Sequence, residues 1–331
     1  MSGPPVTPMA SAEPVPVLEI GGSHVTAALV DLPAAAVMPG TLRRDPLHAS
    51  GAAPGILDSI ISCAEGLPAP KDVAWGVAIP GPFDYRQGVA LFTGVGKFDA
   101  LYGMNLGAAL AARLPGPPGP LRFLNDACAF LRGEWLFGAA AGHDRCAGLT
   151  LGTGIGSAFL LHGQIQHDGS AVPPQGRVDL LRINGQPLEE VVSSRAITRD
   201  YRRRAATTVT GVAEIATRAT NGDLAAADVL CTAFERLGAA LAPWLAAFHA
   251  TVLVAGGAMT GSWNLIKPAL QAGLRLHDQA PAPLTVSVAA RGDHAPLLGA
   301  AAHAVMPGAI PCNQSGPGND ASPQETGGTW P

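Results

Sequence analysis

The amino-acid sequence predicts an α/β protein of two related domains facing each other across a cleft, and three features of it do so. Apolar runs of strand length alternate with stretches of helical spacing from residue 15 to residue 306, the signature of sheets covered by helices. A strand, a glycine-rich turn with a hydroxyl residue and a second strand occur twice, as "VLEIGGSHVTAALVD" (17–31) and "LTLGTGIGSAFLLHGQI" (149–165). The chain of 331 residues is 47% hydrophobic and only 14% charged, ample apolar material for two cores.

Each element has a local reason. Residues 1–14, rich in Pro, Ser and Ala, read as a loose tail. Residues 15–20 form a first strand, Gly21 and Gly22 turn the chain, and 25–30 form a second strand. Residues 55–65 have helical spacing, and 72–79 read as a buried strand ended by Pro80-Gly81-Pro82. A helix at 106–114, a strand at 121–124 and a helix at 127–137 precede the second glycine hairpin. Residues 197–248 read mostly as helix, 251–255 as a strand and 295–305 as a closing helix. The last stretch, 307–331, has many turn formers and almost no large apolar residue, and reads as disordered. Residues 237–259 lack formal charge over the ~20 residues that span a bilayer. Pro243, His249, Gly256 and Gly257 divide them into an apolar helix and a buried strand instead.

Composition narrows the function classes. The net charge of −4 is spread without blocks of one sign, and the run Arg202, Arg203, Arg204 reads as a solvated helix face, so nothing points to nucleic acid. The five cysteines are odd in number and contain no C-x-C or C-x-x-C, which speaks against a cysteine zinc site and for a reducing cytoplasm. No basic region followed by an apolar run opens the sequence, so no signal peptide is expected.

The glycines of 149–165 admit two readings. Gly152, Gly154 and Gly156 can supply the positive φ of a hairpin turn, or can let backbone approach a phosphate that a side chain would obstruct. Phe159, Leu160 and Leu161 read as a second strand where a dinucleotide fingerprint would need a helix. The repetition of the device favours two phosphate turns holding one nucleotide between two domains.

At these residues the sequence resembles the ROK sugar kinases, of the superfamily that also contains actin and hexokinase. The resemblance covers roughly residues 15–306 and keeps the family's order. "LEIGGSHVTAALVD" resembles the first phosphate motif, "GVAIPGPFD" the sugar-side strand and loop, "FLNDACAFLRGEWLFGAA" the segment bearing the catalytic base, and "LTLGTGIG" the second phosphate motif. "PLEEVVSSRAI" resembles the Leu-Glu segment, "VLVAGGAM" the adenosine motif and "APLLGAAAHAV" the closing helix.

The resemblance implies an actin/hexokinase-like (ribonuclease H-like) fold. Its small domain would be residues 15–124 with the closing helix 295–306, and its large domain residues 125–294. It implies an ATP- and Mg²⁺-dependent, cytoplasmic, homodimeric kinase of a hexose 6-hydroxyl. Asp126 would be the catalytic base, although an Asp there can also simply cap the following helix. Asn125, Gly81, Pro82 and Glu189 would contact the sugar. Backbone at Gly21, Gly22, Ser23, Gly152, Thr153 and Gly154 would hold phosphates, and Gly256 and Gly257 would lie against adenosine or merely start a helix. Mg²⁺ would ride on ATP with few protein ligands.

Two departures from the family's pattern stand out. Glu19 replaces the Asp that usually opens the first phosphate motif, leaving a carboxylate on a longer arm as a possible outer-shell partner of the metal. The Glu-x-Gly-His grip on the sugar and its Cys-rich zinc loop are replaced by "SAVPPQGRVDLLRINGQPLEE", so no zinc site is expected and the sugar must be held differently. Gln175, Arg177 and Asp179 are candidates for the missing contacts, and His162 and His167 read as surface residues. Lys97 in "GVGKFDALYG" either enters the cleft or is solvated. A changed grip suggests a changed ring, and carboxylates there would suit an amino hexose such as kanosamine. The alternatives are a plain glucokinase or N-acylhexosamine kinase, a catalytically silent sugar- or nucleotide-binding protein, and a sugar-responsive repressor. The last would need a DNA-binding segment ahead of the first phosphate motif, where only about 14 residues stand.

Overall fold

The computed structural model describes residues 13–116, 118–276 and 283–306. Residues 1–12 and the whole of 307–331, the two expected tails, lie outside the described residues apart from Glu13 and Pro14. Strands β1 (Val15–Ile20) and β2 (His24–Asp31) form an antiparallel hairpin closed at Ile20↔Val25. Strand β3 (Arg43–Pro46) adds to the far side of β2. On the other side β1 pairs in parallel with β4 (Trp75–Ile79), and β4 in parallel with β5 (Leu121–Asn125).

The second sheet repeats this order. Strands β6 (Arg145–Leu151) and β7 (Ile155–Leu161) form an antiparallel hairpin closed at Leu151↔Ile155. Strand β6 then pairs in parallel with β8 (Val252–Gly256), and β8 with β9 (Thr285–Val288). A hairpin followed by two parallel strands thus occurs twice, so the two similar stretches of sequence head two similarly ordered sheets.

Helices α1 (Ala53–Ala64) and α2 (Leu106–Ala111) share a core with the first sheet, built from Leu18, Ile56, Ile60, Trp75 and Phe83. Helix α3 (Asp126–Phe137) follows β5 with no intervening loop. A short helix, α4 (Glu189–Val192), precedes the expected helical region 197–248, which is α5 (Ser194–Ala205), α6 (Val212–Thr220) and α7 (Leu224–Ala247). The Arg202–Arg204 run lies on the exposed face of α5. Helix α8 (Trp263–Arg275) packs on α7 over the second sheet, in a core with Phe159, Phe234, Leu253 and Leu270. The closing helix α9 (Ala295–Val305) lies against α3, and these two join strands of both sheets in a third core that includes Val15, Ala78, Leu124, Phe130, Val254 and Leu298.

Helix α8 and strand β9 are not among the elements expected above. Pro268 stands inside α8, and a proline within a helix removes a hydrogen bond and crowds the preceding turn. Packing overrides that cost, because Ile266, Ala269, Leu270 and Leu274 recur at helical spacing and are buried. Among the described residues no helix is long and apolar enough to cross a membrane.

Candidate active site

Asp126 is the first residue of α3, and its neighbour Asn125 supplies the cap. The Asn125 Oδ1 accepts from the backbone N–H groups of Ala127 (3.0 Å) and Cys128 (3.2 Å). The alternative in which Asp126 serves merely as the cap therefore loses its necessity, although its Oδ1 also accepts from Ala127 N at 2.8 Å. Asn125, expected on a sugar hydroxyl, is engaged within the protein at both ends. Its Nδ2 donates to Tyr85 Oη at 3.1 Å, and Tyr85 donates to Ile79 O at 3.2 Å. Tyr85, which the sequence did not single out, thereby ties the strand carrying the Asn-Asp pair to the end of β4.

Burial raises the pKa of Asp126, and nearby Asp179 adds to this. Lys97 and the Ala127 N–H act in the opposite direction. Glu19 on β1 is affected more sharply. Burial first, then the field of Asp126, pushes it up to about 7, with Arg44 and the Thr26 hydroxyl opposing. Glu189, at the start of α4, is also raised, by burial and then by Asp179, while Lys97 and Arg195 oppose. Carboxylates from three separate segments therefore converge on one cleft, where they destabilise one another's charged forms.

The segment that replaces the family's sugar grip is held by Ser157 on β7. Its hydroxyl donates to Gly176 O (2.7 Å) and accepts from Val178 N (2.9 Å). Between these anchors Arg177 turns onto Asp179 with two bonds, Nε to Oδ1 at 3.2 Å and Nη2 to Oδ2 at 2.5 Å. The pair is mostly covered, with side chains 25% and 17% exposed. Gln175 has φ +59° and lines a small separate cavity of about 190 Å³ with His167 and Trp244. His162 is exposed beside Asp144, as expected. His167 corrects the expectation of a surface residue: its side chain is only 19% exposed and its Nδ1 is buried without a partner among the described residues. The cause is the wrap of 166–176, whose Gly176 passes close to Gln166 and His167.

Both glycine turns lack the conformation that the simpler hairpin reading required. None of Gly21, Gly22, Gly152, Gly154 and Gly156 has positive φ. Lack of space calls for glycine at Gly154 and Gly156, where a Cβ would collide with the Glu189 carboxylate and the Thr150 hydroxyl, whereas one on Gly152 would project into open space. Gly152 O accepts from Ser194 N at 3.1 Å, which fixes the second turn to the start of α5. At the first turn Arg44 Nη2 lies 2.9 Å from His24 Nε2, and Ser23 Oγ 3.2 Å from His24 Nδ1. Arginine can only donate, so Nε2 accepts and Nδ1 carries the proton toward Ser23. Burial and Arg44 together lower the His24 pKa, in keeping with that neutral form.

Gly256 ends β8 against the Phe130 ring, and Gly257 follows at φ +91°, where an added Cβ would sit 2.6 Å from Leu151 O. Glycine is required there by both conformation and space. Gly81 and Pro82 follow β4 and are joined by a cis peptide bond, and Pro82 O accepts from Leu91 N at 3.2 Å. Lys97 is half-buried and lies against Gly22, so of its two readings the cleft is where it stands. His24, Arg44, Tyr85 and Ser157 were missed because each works through a partner distant in sequence. Among the described residues no three His, Cys, Asp or Glu side chains come together as metal ligands.

Comparison with known proteins bears on the fold and the family. A glucokinase from Thermotoga maritima is 38% identical over 111 residues, a match that spans 33% of this chain and 32% of that enzyme. The solved structure of a ROK family glucokinase from Streptomyces griseus, in complex with glucose and AMPPNP, superposes with a TM-score of 0.73 at 24% identity, covering 88% of this chain and 99% of that one. The ROK hexokinase from Thermus thermophilus superposes with a TM-score of 0.67 at 25% identity, covering 88% and 97%. These neighbours have the two-domain actin/hexokinase-like architecture expected of the sequence. The family model described as "ROK family" matches residues 16–306, and the chain belongs to that family.

Proposed function

We propose that this protein is an ATP-dependent kinase of a hexose 6-hydroxyl, with Asp126 as the base. The observation that carries this reading is the place of Asp126: at the mouth of α3, relieved of capping by Asn125 and in the electrostatic reach of Lys97. In this reading the residues divide into two lobes, 15–124 with 295–306 and 125–294, which work as a homodimer in the cytoplasm. The sugar oxygen attacks the γ-phosphorus, its proton passes to the Asp126 carboxylate, the bond from phosphorus to the β-phosphate oxygen breaks, and ADP leaves. A carboxyl whose pKa lies above the ordinary range is a stronger base once ionised.

The turns fit a nucleotide. Gly152 faces open space and Gly22 meets only the Lys97 side chain, so the backbone N–H groups of Gly22, Ser23, Thr153 and Gly154 can approach phosphate oxygens, while those of Gly21 and Gly152 are donated to His24 O (2.9 Å) and Gly154 O (3.0 Å) and close the turns. Gly256 and Gly257 present bare backbone to the adenosine. Mg²⁺, when bound with ATP, neutralises phosphate charge, and Glu19 is the side chain suited to hold one of its waters.

On the sugar side Asp179 is committed to Arg177, which leaves Glu189 as the carboxylate free to meet a cation. We therefore favour an amino hexose over glucose, since a charge-assisted hydrogen bond is roughly twice as strong as a neutral one. The test is kcat/KM with ATP and Mg²⁺ for glucose, glucosamine, kanosamine and N-acetylmannosamine, in the wild type and in Asp126→Asn. An amino sugar should lead, and the variant should lose ~10²–10⁴-fold of the rate. Glucose matching every amino sugar would make this a plain glucokinase. Turnover of Asp126→Asn within about threefold of wild type, against the ~10²-fold minimum loss of a general base, would remove Asp126 from its role.

A further inference from the structure

Lys97 has an environment that the roles above do not account for. It sits on the loop between Phe92 and Phe98, whose Gly94 and Gly96 adopt φ of +66° and +73°. The loop is firmly held. Phe98 is buried, its ring lies 5.1 Å from that of Phe92, and its N–H donates to Ala49 O at 2.6 Å. Asp99, the nearest carboxylate in sequence, accepts from the N–H groups of Val95 (3.3 Å) and Gly96 (3.1 Å). The lysine side chain then runs over the first glycine turn, with its Cδ 3.6 Å from the place a Cβ on Gly22 would occupy.

The ammonium group lies within electrostatic reach of Asp126 and Glu189. Among the described residues Lys97 forms no ion pair within 4.0 Å, whereas Arg177 is bound to Asp179, Arg195 to Glu190 and Arg44 to Asp293. A half-buried ammonium without a direct partner, among carboxylates that repel a polyanion, is a charge awaiting an anion. The anion that the adjoining turn suits is a phosphate. Lysine brings to it a compact charge with three donors that can follow a moving group.

From the placement of Lys97 over Gly22, half-buried and without an ion-pair partner among the described residues, we infer that its ammonium binds the γ-phosphoryl group of the nucleotide and holds it during transfer. The Lys97 ammonium neutralises charge on the phosphoryl oxygens. The lysine stem runs alongside Gly22. The inference rests on the kinase reading above and adds to it a contact that depends on the third phosphate.

Calorimetry with Mg·AMPPNP and Mg·ADP tests it on the full-length wild type, Lys97→Met and Lys97→Arg. The readout is the ratio of the two dissociation constants. Lys97→Met should lose at least tenfold of the wild type's preference for the triphosphate analogue, with ADP affinity and melting temperature nearly unchanged. Lys97→Arg should retain more of the preference than Lys97→Met. In turnover kcat should fall about 10²-fold, the scale of losing one donor to a developing charge, with the KM for sugar little altered. A ratio unchanged within threefold, or equal weakening of both nucleotides, overturns the inference and leaves the kinase reading standing. Failure of the wild type to bind either nucleotide overturns both.

Discussion

Glu19 shows how much a single carboxylate costs in this cleft. It lies on β1 opposite Thr26, and burial together with Asp126 pushes its pKa up to about 7, from an ordinary 4.5. The folded protein therefore holds this proton more tightly than the unfolded chain does. Stability falls as pH rises from 4.5 toward 7, and the full cost is present above 7. At about 1.4 kcal/mol per pKa unit, the upper bound is ~3 kcal/mol. Glu19→Gln should thus be more stable than wild type at pH 8, with the advantage fading by pH 4.5, and its phosphoryl transfer should be slower. Melting curves at the two pH values check this. Equal shifts at both would show that the carboxyl does not titrate in this way. The raised pKa could not be read from the sequence, where Glu19 is one residue of a strand and its distance from Asp126 is invisible.

Two helix pairs in this fold meet backbone to backbone. Gly133 of α3 faces Ala295 O, and Gly299 of α9 faces Ala129 O and C, so closely that neither position has room for a Cβ. Gly238 and Gly273 do the same where α7 meets α8. Near the end of α3 the fully buried Glu134 accepts from the backbone of Ala139 (2.7 Å), Ala290 (3.0 Å) and Arg291 (2.7 Å), fixing α3 to the chain that enters α9. Since Asp126 begins α3, these contacts set its position. Gly299→Val should force α9 off α3 and destabilise by at least the ~1–3 kcal/mol of an overpacked core. Its kcat should drop as Asp126 moves. Denaturant unfolding and kinetics on one preparation check both effects. A variant of wild-type stability and turnover would show that α9 can shift without consequence. The sequence "APLLGAAAHAV" announces a helix, but not that Gly299 is its point of contact.

At the scale of the molecule, one hairpin-and-parallel-strand unit is used twice, and the helix pair α3–α9 fills the space between the copies. Lys97 borders Gly22 of the first turn and acts on Glu189, which borders Gly154 of the second, so residues far apart in the chain come together. The altered segment after Gly163 is fastened by Ser157 and by the Arg177–Asp179 pair, contacts of the kind that make a metal clip dispensable. Purified protein is accordingly expected to carry less than a tenth of an equivalent of zinc, a bound set on the order of trace contamination. Its activity is expected to require added Mg²⁺. One zinc per chain by elemental analysis would mean that the segment folds around a metal after all.

The sequence by itself determined the alternation of strands and helices, the repeated glycine turn, the junction at Asn125 and Asp126 and the family to which these belong, because each is written in contiguous residues. Strand and helix periodicity, caps and turns are local, and local physics is legible in one dimension. Only the tertiary structure decided that Asn125 rather than Asp126 carries the cap, that Gly154 and Gly156 serve space rather than positive φ, and that Asp179 is spent on Arg177. It alone set Lys97 over Gly22 and raised Glu19 beside Asp126. The last two join segments that lie far apart in the chain, and the first three, though local in sequence, depend on backbone conformation and burial that only the assembled sheets create.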